Sequence, residues 1–224
     1  YEIPLRLVGS EMCIRDRYML GNRYHSHMED KIMQNISREN ADIIGEVANI
    51  CIGNAATTLS MILQKPTNIT TPIVEVLKKE DALDHDDRIL IKVPYTKGLD
   101  GTNLLIIKLN DALVIANLMM GGNGSNVSDM TLDEITLSAI SEAMNQMCGT
   151  IATSMSSLLN EPTDIGFPLI NSSYQKTFDI PDELCNGTDI VKVTFRLTVG
   201  DLIDSDLLQL YPISIVKQII KQEV

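Results

Sequence analysis

The sequence predicts an α+β domain built as a pseudo-two-fold duplication, with an antiparallel sheet covered by two long helices. A polar signature occurs twice, Asp42, Glu46, Asn49 and then Ser138, Glu142, Asn145, with identical offsets and 96 residues between the copies. Each signature sits on a stretch whose apolar residues recur at helical spacing. Each stretch is then followed by three runs rich in β-branched residues, and one helix alternating with several strands suits an antiparallel sheet under helical cover.

In the first copy, steps of four, three and four residues place Asp42, Glu46, Asn49 and Gly53 in one narrow stripe of a helix. Ile44, Val47, Ala48, Cys51, Ala55, Leu59 and Ile62 form the opposite, apolar side; in the second copy that side becomes Ile140, Ala143, Met144, Met147, Ile151, Met155 and Leu158. Gly149 continues the second stripe, and Pro72 and Pro168 each follow their Asn after 22 intervening residues. Identities recur at Ala56/Ala152, Thr57/Thr153, Ser60/Ser156, Leu63/Leu159, Pro66/Pro162, Thr67/Thr163 and Ile69/Ile165, a density that points to duplication. Each helix therefore packs through one side and presents a Glu and an Asn on the other. Drift replaces ordinary surface residues, yet the Glu and Asn match while their neighbours differ, Val47-Ala48 against Ala143-Met144.

In chain order, residues 1–26 show no periodicity that continues into the first helix. Glu11-Met12-Cys13-Ile14-Arg15-Asp16-Arg17 resembles the translation of a transposase mosaic-end adapter, so 1–26 is expected to be an adapter-derived or disordered leader before a domain at 27–224. Helical spacing begins at 27–37, and the main helix is expected over 38–63, stopping before Lys65-Pro66. Strands are expected at 69–77, 89–93 and 102–109, the last two separated by a loop with Pro94, Gly98 and Gly101. A short helix at 110–120 is closed by Gly121-Gly122-Asn123-Gly124. The second repeat, at about 131–224 against about 38–124 for the first, opens with Ser128 or Thr131 as helix cap and Leu132 near the helix start. Its helix runs to about 159, strands follow at 166–172, 189–199 and 205–211, and a helix at 213–221 closes the chain.

Composition narrows the function. The chain of 224 residues carries a formal charge of −12, which argues against nucleic acid or an anionic membrane as a partner held by its overall field. No apolar run reaches the roughly 18 residues of a membrane-spanning helix, and no secretory signal is present, so the cytoplasm is the expected compartment. Cys13, Cys51, Cys148 and Cys185 show no CxxC or CxxH spacing and read as buried free thiols; the pair His25 and His27, with His85 alone, supplies no zinc-ligand set. No metal of its own is expected. The glycine loop 121–124 closes a helix and lacks the Lys and Ser/Thr of a P-loop, and nothing resembles a nucleophile elbow or a Cys–His pair.

The duplicated Asp/Ser, Glu, Asn and distant Pro, matched in both copies without a gap, resembles the pattern of the CheC, CheX and FliY phosphatases of bacterial chemotaxis. Residues 141–149 and the runs 199–204 and 209–212 look like the FliY branch, and the resemblance spans about 30–224. It implies a CheC-like fold, here the catalytic middle domain, that hydrolyses the aspartyl phosphate of the response regulator CheY. By that resemblance Asn49 and Asn145 each insert a carboxamide into the regulator's active site and position the attacking water, while Glu46 and Glu142 grip a partner lysine. An acyl phosphate is already labile, so orienting water suffices. Mg2+ would come with the regulator. The implied partners are phosphorylated CheY and the switch proteins FliM, FliN and, through a loop like 121–124, FliG, at the cytoplasmic face of the flagellar basal body. FliY proteins usually carry a further N-terminal regulator-binding segment and a C-terminal switch domain, and neither pattern is found here. A stand-alone CheC-type phosphatase and a non-catalytic FliM-like scaffold are the alternatives; the intact Glu and Asn pairs speak against the scaffold.

Overall fold

The computed structural model describes residues 36–83, 87–170, 180 and 189–223. The chain falls into two compact units, Tyr1–Arg38 and Glu39–Val224, and the sheet with its helices belongs to the second. The expectations for the leader, for a helix before residue 36, and for Cys13, Cys185 and the three histidines fall outside the described residues.

The elements are α1 (Arg38–Leu63), β1 (Thr67–Ile69), β2 (Ile73–Lys78), β3 (Arg88–Lys97), β4 (Thr102–Lys108), α2 (Leu109–Met119), α3 (Glu134–Leu158), β5 (Asp164–Ile165), β6 (Leu169–Ile170), β7 (Asp189–Val199), β8 (Ile203–Pro212) and α4 (Ile213–Glu223). By length and composition alone α1 could cross a membrane. Its apolar side is instead buried and its other side carries Asp42, Glu46 and Asn49, all exposed or half-exposed, which makes it a core-covering helix.

All strands pair antiparallel in one sheet, with β7, β8, β4 and β3 side by side, β1 and β2 on the outer edge of β7, and β5 and β6 on the outer edge of β3. The two copies are thus interlaced: the short first strands of each copy pair with the first long strand of the other. At the centre, Leu104 faces Leu210, Ile106 faces Leu208, and Leu105 faces Gln209. Val74, on β2, lies under α1, since a Cβ on Gly45 would stand 3.3 Å from Val74 Cγ2. Because neighbours along a strand alternate faces, Leu90, Leu104, Ile106, Ile190, Leu208 and Leu210 collect on the opposite face, in one cluster with Ala82 and Ile180.

The expected strand at 69–77 is two strands, and the expected strand at 166–172 is likewise two short ones, with 171 and 172 outside the described residues. The cause is the same in both copies. Ile69 pairs with Leu197 and Ile73 with Thr194, so three residues, 70–72, oppose two on β7. Ile165 pairs with Tyr95 and Leu169 with Lys92, so 166–168 oppose two on β3. Each is a one-residue bulge. Pro72 and Pro168 have no N–H for a ladder, and in the first bulge the Thr70 hydroxyl accepts Arg196 N–H at 3.2 Å where a carbonyl otherwise would.

Three further boundaries differ. β3 continues through Pro94 instead of stopping at Val93, because the ladder bond there is made by Tyr95 N–H to Gly101 O (2.9 Å) while Pro94 only accepts, from Gly166 N–H (2.8 Å). β8 starts at Ile203, since the turn at Gly200 (φ +49°) is tight, with Leu202 N–H donating to Val199 O at 3.0 Å. The cap of α3 is Asp133, not Ser128 or Thr131, and the helix begins at Glu134, not near Leu132: Asp133 Oδ1 accepts Thr136 N–H at 2.8 Å, while Ser128 is held in a 3-10 turn. That N–H holds the Asp133 carboxyl below the usual carboxylate range. The close of α2 is as expected, with Gly121 in the left-handed region (φ +85°) and Gly124 N–H held by Asn117 Oδ1 at 2.8 Å.

Candidate functional site

The helix that carries each signature is held at its end by the duplicated identities. Gln64 (φ 53°) and Asn160 (φ 50°), 96 residues apart, both close their helix in the left-handed conformation. Ser60 Oγ donates to Lys65 O (2.8 Å), and the matched Ser156 Oγ accepts the N–H of Thr163 (2.8 Å), the counterpart of Thr67. Thr67 donates to Lys65 O and Thr163 to Glu161 O, both at 3.2 Å. Thr57 and Thr153 bond back to the carbonyls of Gly53 (3.2 Å) and Gly149 (3.0 Å). These matched residues have a structural task in each copy, the capping of a helix and its exit into an edge strand.

The helices meet through a second symmetric set. Asn54 Nδ2 donates to Ser154 Oγ at 2.9 Å, and the hydroxyls of Thr58 and Thr150 lie 2.8 Å apart. Asn54 corresponds to Thr150 and Thr58 to Ser154, so each contact is the other's image and α1 and α3 run antiparallel where they meet. On the helical wheel, Asn49 lies about 140° from Asn54. The two Asn side chains therefore lie on opposite flanks of the crossing, and Asn145 opens into a groove that α1 also lines.

Glu46 and Asn49 lie on the same side of α1, one turn apart, as do Glu142 and the half-buried Asn145 on α3. Among the described residues, Glu46, Asn49 and Asn145 have no side-chain hydrogen-bond partner, while Glu142 Oε1 accepts Gln146 Nε2 at 2.8 Å. The position of Gln146 in the first copy is Ile50, which is exposed. The bulge forms a wall beside the first stripe. Gly45 abuts Val74, and a Cβ on Gly53 would stand 4.0 Å from Ile69 Cδ1, so residues 70–72 run past Asn49, midway between the two glycines. In the second copy Ile165 lines a groove of about 690 Å³ with Asn145, Gln146 and Gly149, which Asn54 and Thr57 of α1 close from the other side. Sequence reasoning passed over Asn54, Thr57 and Gln146 as site residues. Thr57 was marked as a duplicated identity, whereas Asn54 and Gln146 were marked only by proximity to the stripes, and the side-chain bond of Asn54 crosses between copies.

The stripe glycines and the opposite apolar side behave as the pattern requires, with two adjustments. Ile62 and Leu158 are half-buried, and Ile52, Ala56, Leu63, Cys148 and Leu159 join the core. Burial pushes the thiols of Cys51 and Cys148 up to about 12, so neither supplies a thiolate near neutral pH. Asp111 is buried and its carboxyl raised by that burial, against the hydrogen bond from Ser205 Oγ; the pair ties α2 to β8. Among the described residues no three His, Cys, Asp or Glu side chains gather to hold a metal ion. What the stripes can do chemically is bind and orient. An amide donates and accepts without ionising, and a carboxylate one helical turn away can take a cation.

The family model described as the CheC-like family matches residues 39–76 and 135–165, two stretches that begin 96 residues apart. The flagellar motor switch phosphatase FliY of Bacillus subtilis is 43% identical over 194 residues, covering 84% of this chain and 50% of that protein. The CheY-P phosphatase CheC of the same organism is 23% identical over 132 residues, 57% of this chain and 63% of its own length. This chain thus spans about half to two thirds of these relatives. The crystal structure of Thermotoga maritima FliY superposes with a TM-score of 0.75 at 38% identity, covering 84% of this chain and 97% of that one.

Proposed function

Because this chain belongs to the FliY group of the CheC-like family, we propose that it is a phosphatase of the flagellar motor switch that hydrolyses the aspartyl phosphate of the response regulator CheY. One observation supports the site assignment above others. Matched residues at the helix ends and in the core are used by the fold, whereas Glu46, Asn49 and Asn145 make no side-chain hydrogen bond to a described residue, and Glu142 makes one only to its own helix.

In this reading each helix docks one regulator molecule. Glu46 or Glu142 pairs with a lysine of the regulator and sets the register. Asn49 or Asn145 enters the regulator's phosphorylated site, where the amide oxygen accepts a hydrogen bond from a water and aims its lone pair at phosphorus. The oxygen–phosphorus bond to the aspartyl carboxylate breaks as the water oxygen bonds, releasing inorganic phosphate and restoring the carboxylate. The leaving group is a weakly basic carboxylate, so positioning and the loss of competing orientations supply the rate. Charge neutralisation on the phosphoryl oxygens falls to the Mg2+ of the regulator.

The same reading puts the protein at the cytoplasmic face of the basal body with FliM and FliN, and assigns the loop 121–124, braced by Asn117, to contact with FliG. The test is phosphate release from phosphorylated CheY with the parent protein and with the Asn49→Ala, Asn145→Ala double variant. Release above the regulator's own rate by the parent, and its return to that rate in the double variant, is the expected result. No acceleration by the parent would refute the proposal.

A further inference from the structure

The two sites have the same Glu and Asn but different walls. The bulge between Ile69 and Ile73 carries Thr71, and the bulge that follows Ile165, a residue lining the groove of Asn145, carries Phe167 at the same place in the repeat. Phe167 is 65% exposed, in a chain with three Phe and no Trp. Under the 96-residue offset the other exposed apolar side chains of the matched region fall elsewhere: Ile50 on Gln146, Met61 on Ser157, Ile135 on Glu39, and Ile73 on Leu169, both of which lie on strand faces turned from the helices.

Phe167 is also firmly held. On one side of it Gly166 N–H donates to Pro94 O at 2.8 Å, and Thr96 Oγ1 donates to Asp164 O at 3.3 Å. Gly166 itself is seated tightly, since a Cβ there would stand 3.0 Å from Thr96 Cγ2 and 3.3 Å from Pro94 Cγ. On the other side Pro168 is buried and Leu169 and Ile170 pair with β3. Bulges turn a side chain out of the ladder and recur beside active sites. The residue two before it, Ile165, lines the groove of Asn145. An exposed aromatic on a fixed backbone loses little freedom on association and is the usual form of an interface anchor.

We propose that Phe167 is an apolar docking residue for the receiver domain of the phosphorylated regulator at the Asn145 site, and that Thr71 leaves the Asn49 site without this anchor. The inference rests on the proposed hydrolysis of CheY phosphate. Its occupant follows from continuity: Ile165 lines the groove of Asn145, so a partner seated over Glu142 and Asn145 meets the bulge that begins at the next residue and bears Phe167. The two sites then perform one chemistry with different affinity.

Single-site proteins separate the contributions. Asn49→Ala leaves the Phe167 site and Asn145→Ala leaves the Thr71 site, and each is assayed for phosphate release against Bacillus subtilis CheY phosphorylated with a small-molecule donor. The Asn49→Ala protein should show the lower KM. Adding Phe167→Thr to it should raise KM by roughly ten-fold, the scale of losing one large apolar side chain from an interface, with kcat kept, and Phe167→Tyr should restore the low KM. In the Asn145→Ala protein, Thr71→Phe should lower KM. An unchanged KM on Phe167→Thr, in a protein whose melting temperature and single-site hydrolysis are intact, overturns the proposal and leaves the phosphatase reading standing. Dimerisation of the parent that Phe167→Thr abolishes without a change in KM overturns it in favour of a second copy as the occupant. Full activity of the Asn49→Ala, Asn145→Ala double variant instead removes the reading on which it rests.

Discussion

Replacing the two signature asparagines should move stability and activity in opposite directions. Asn49 is exposed in the interior of α1 and bonds to no described side chain or backbone group through its amide. Alanine is the better helix former by about 0.5 kcal/mol, so Asn49→Ala should stabilise the domain by about that amount. Asn145 is half-buried and lines the groove with Ile165 and Thr57, so the packing that its amide gives up there offsets part of the gain. For a domain of about 150–250 residues, 1 kcal/mol shifts the melting temperature by about 2–4 °C. The double variant should therefore melt at about 1–3 °C above the parent. Phosphate release should fall to the regulator's own rate in the double variant, and each single variant should lose its site's share. Circular dichroism melts and a phosphate-release assay on the same preparations give both readings. A residue kept for function at a cost in stability behaves in this way. Full activity in a folded double variant refutes the mechanism; a fall in melting temperature of about 5 °C shows that the asparagines serve the fold.

Charge, capping and thiol burial each give a further expected outcome. Glu46→Lys with Glu142→Lys should raise the KM for phosphorylated CheY, because like charges would oppose the partner lysine; parent-like binding by the charge-reversed protein means that the docking face lies elsewhere. Ser156→Ala should cost about 1–3 kcal/mol, since it strands the Thr163 N–H of a buried residue, whereas Ser60→Ala, which loses only a donor to Lys65 O, should cost about 0.5–1.5 kcal/mol. Urea midpoints of the two variants decide this, and equal losses would contradict the assigned roles. Cys51 and Cys148 have folded-state values raised from 9.0 to about 12, so their contribution to stability is full below pH 9 and declines as pH rises from there toward 12. At about pH 8 neither thiol should react with iodoacetamide until the protein unfolds, as peptide mapping by mass spectrometry would show.

Much of the site was legible in the sequence because it is local. Glu46 and Asn49, or Glu142 and Asn145, need only a helix and its period to share a side, and the helix is announced by apolar spacing over 38–63 and 134–158. The duplication itself is a fact of sequence, and with it the α+β plan and the C-terminal ends of the two long helices. Element boundaries shifted where a side chain or a missing N–H intervened, as with Asp133, Pro94 and the bulges, since periodicity carries no record of such bonds.

The sequence alone determined the two helices, their polar stripes, the number of strand-like runs per copy and the match between the copies. Only the tertiary structure decided that the copies interlace, with β1 and β2 on β7 and β5 and β6 on β3, because pairing is a choice among edges with similar local patterns. It also decided that Asn54 meets Ser154 and Thr58 meets Thr150, which turns the two asparagines to opposite flanks. Finally it placed Phe167 on the bulge that follows Ile165, where the three residues 166–168 oppose two on β3. A bulge is a mismatch in count between two strands far apart in the chain. Neither strand carries that count by itself, so folding alone reveals it.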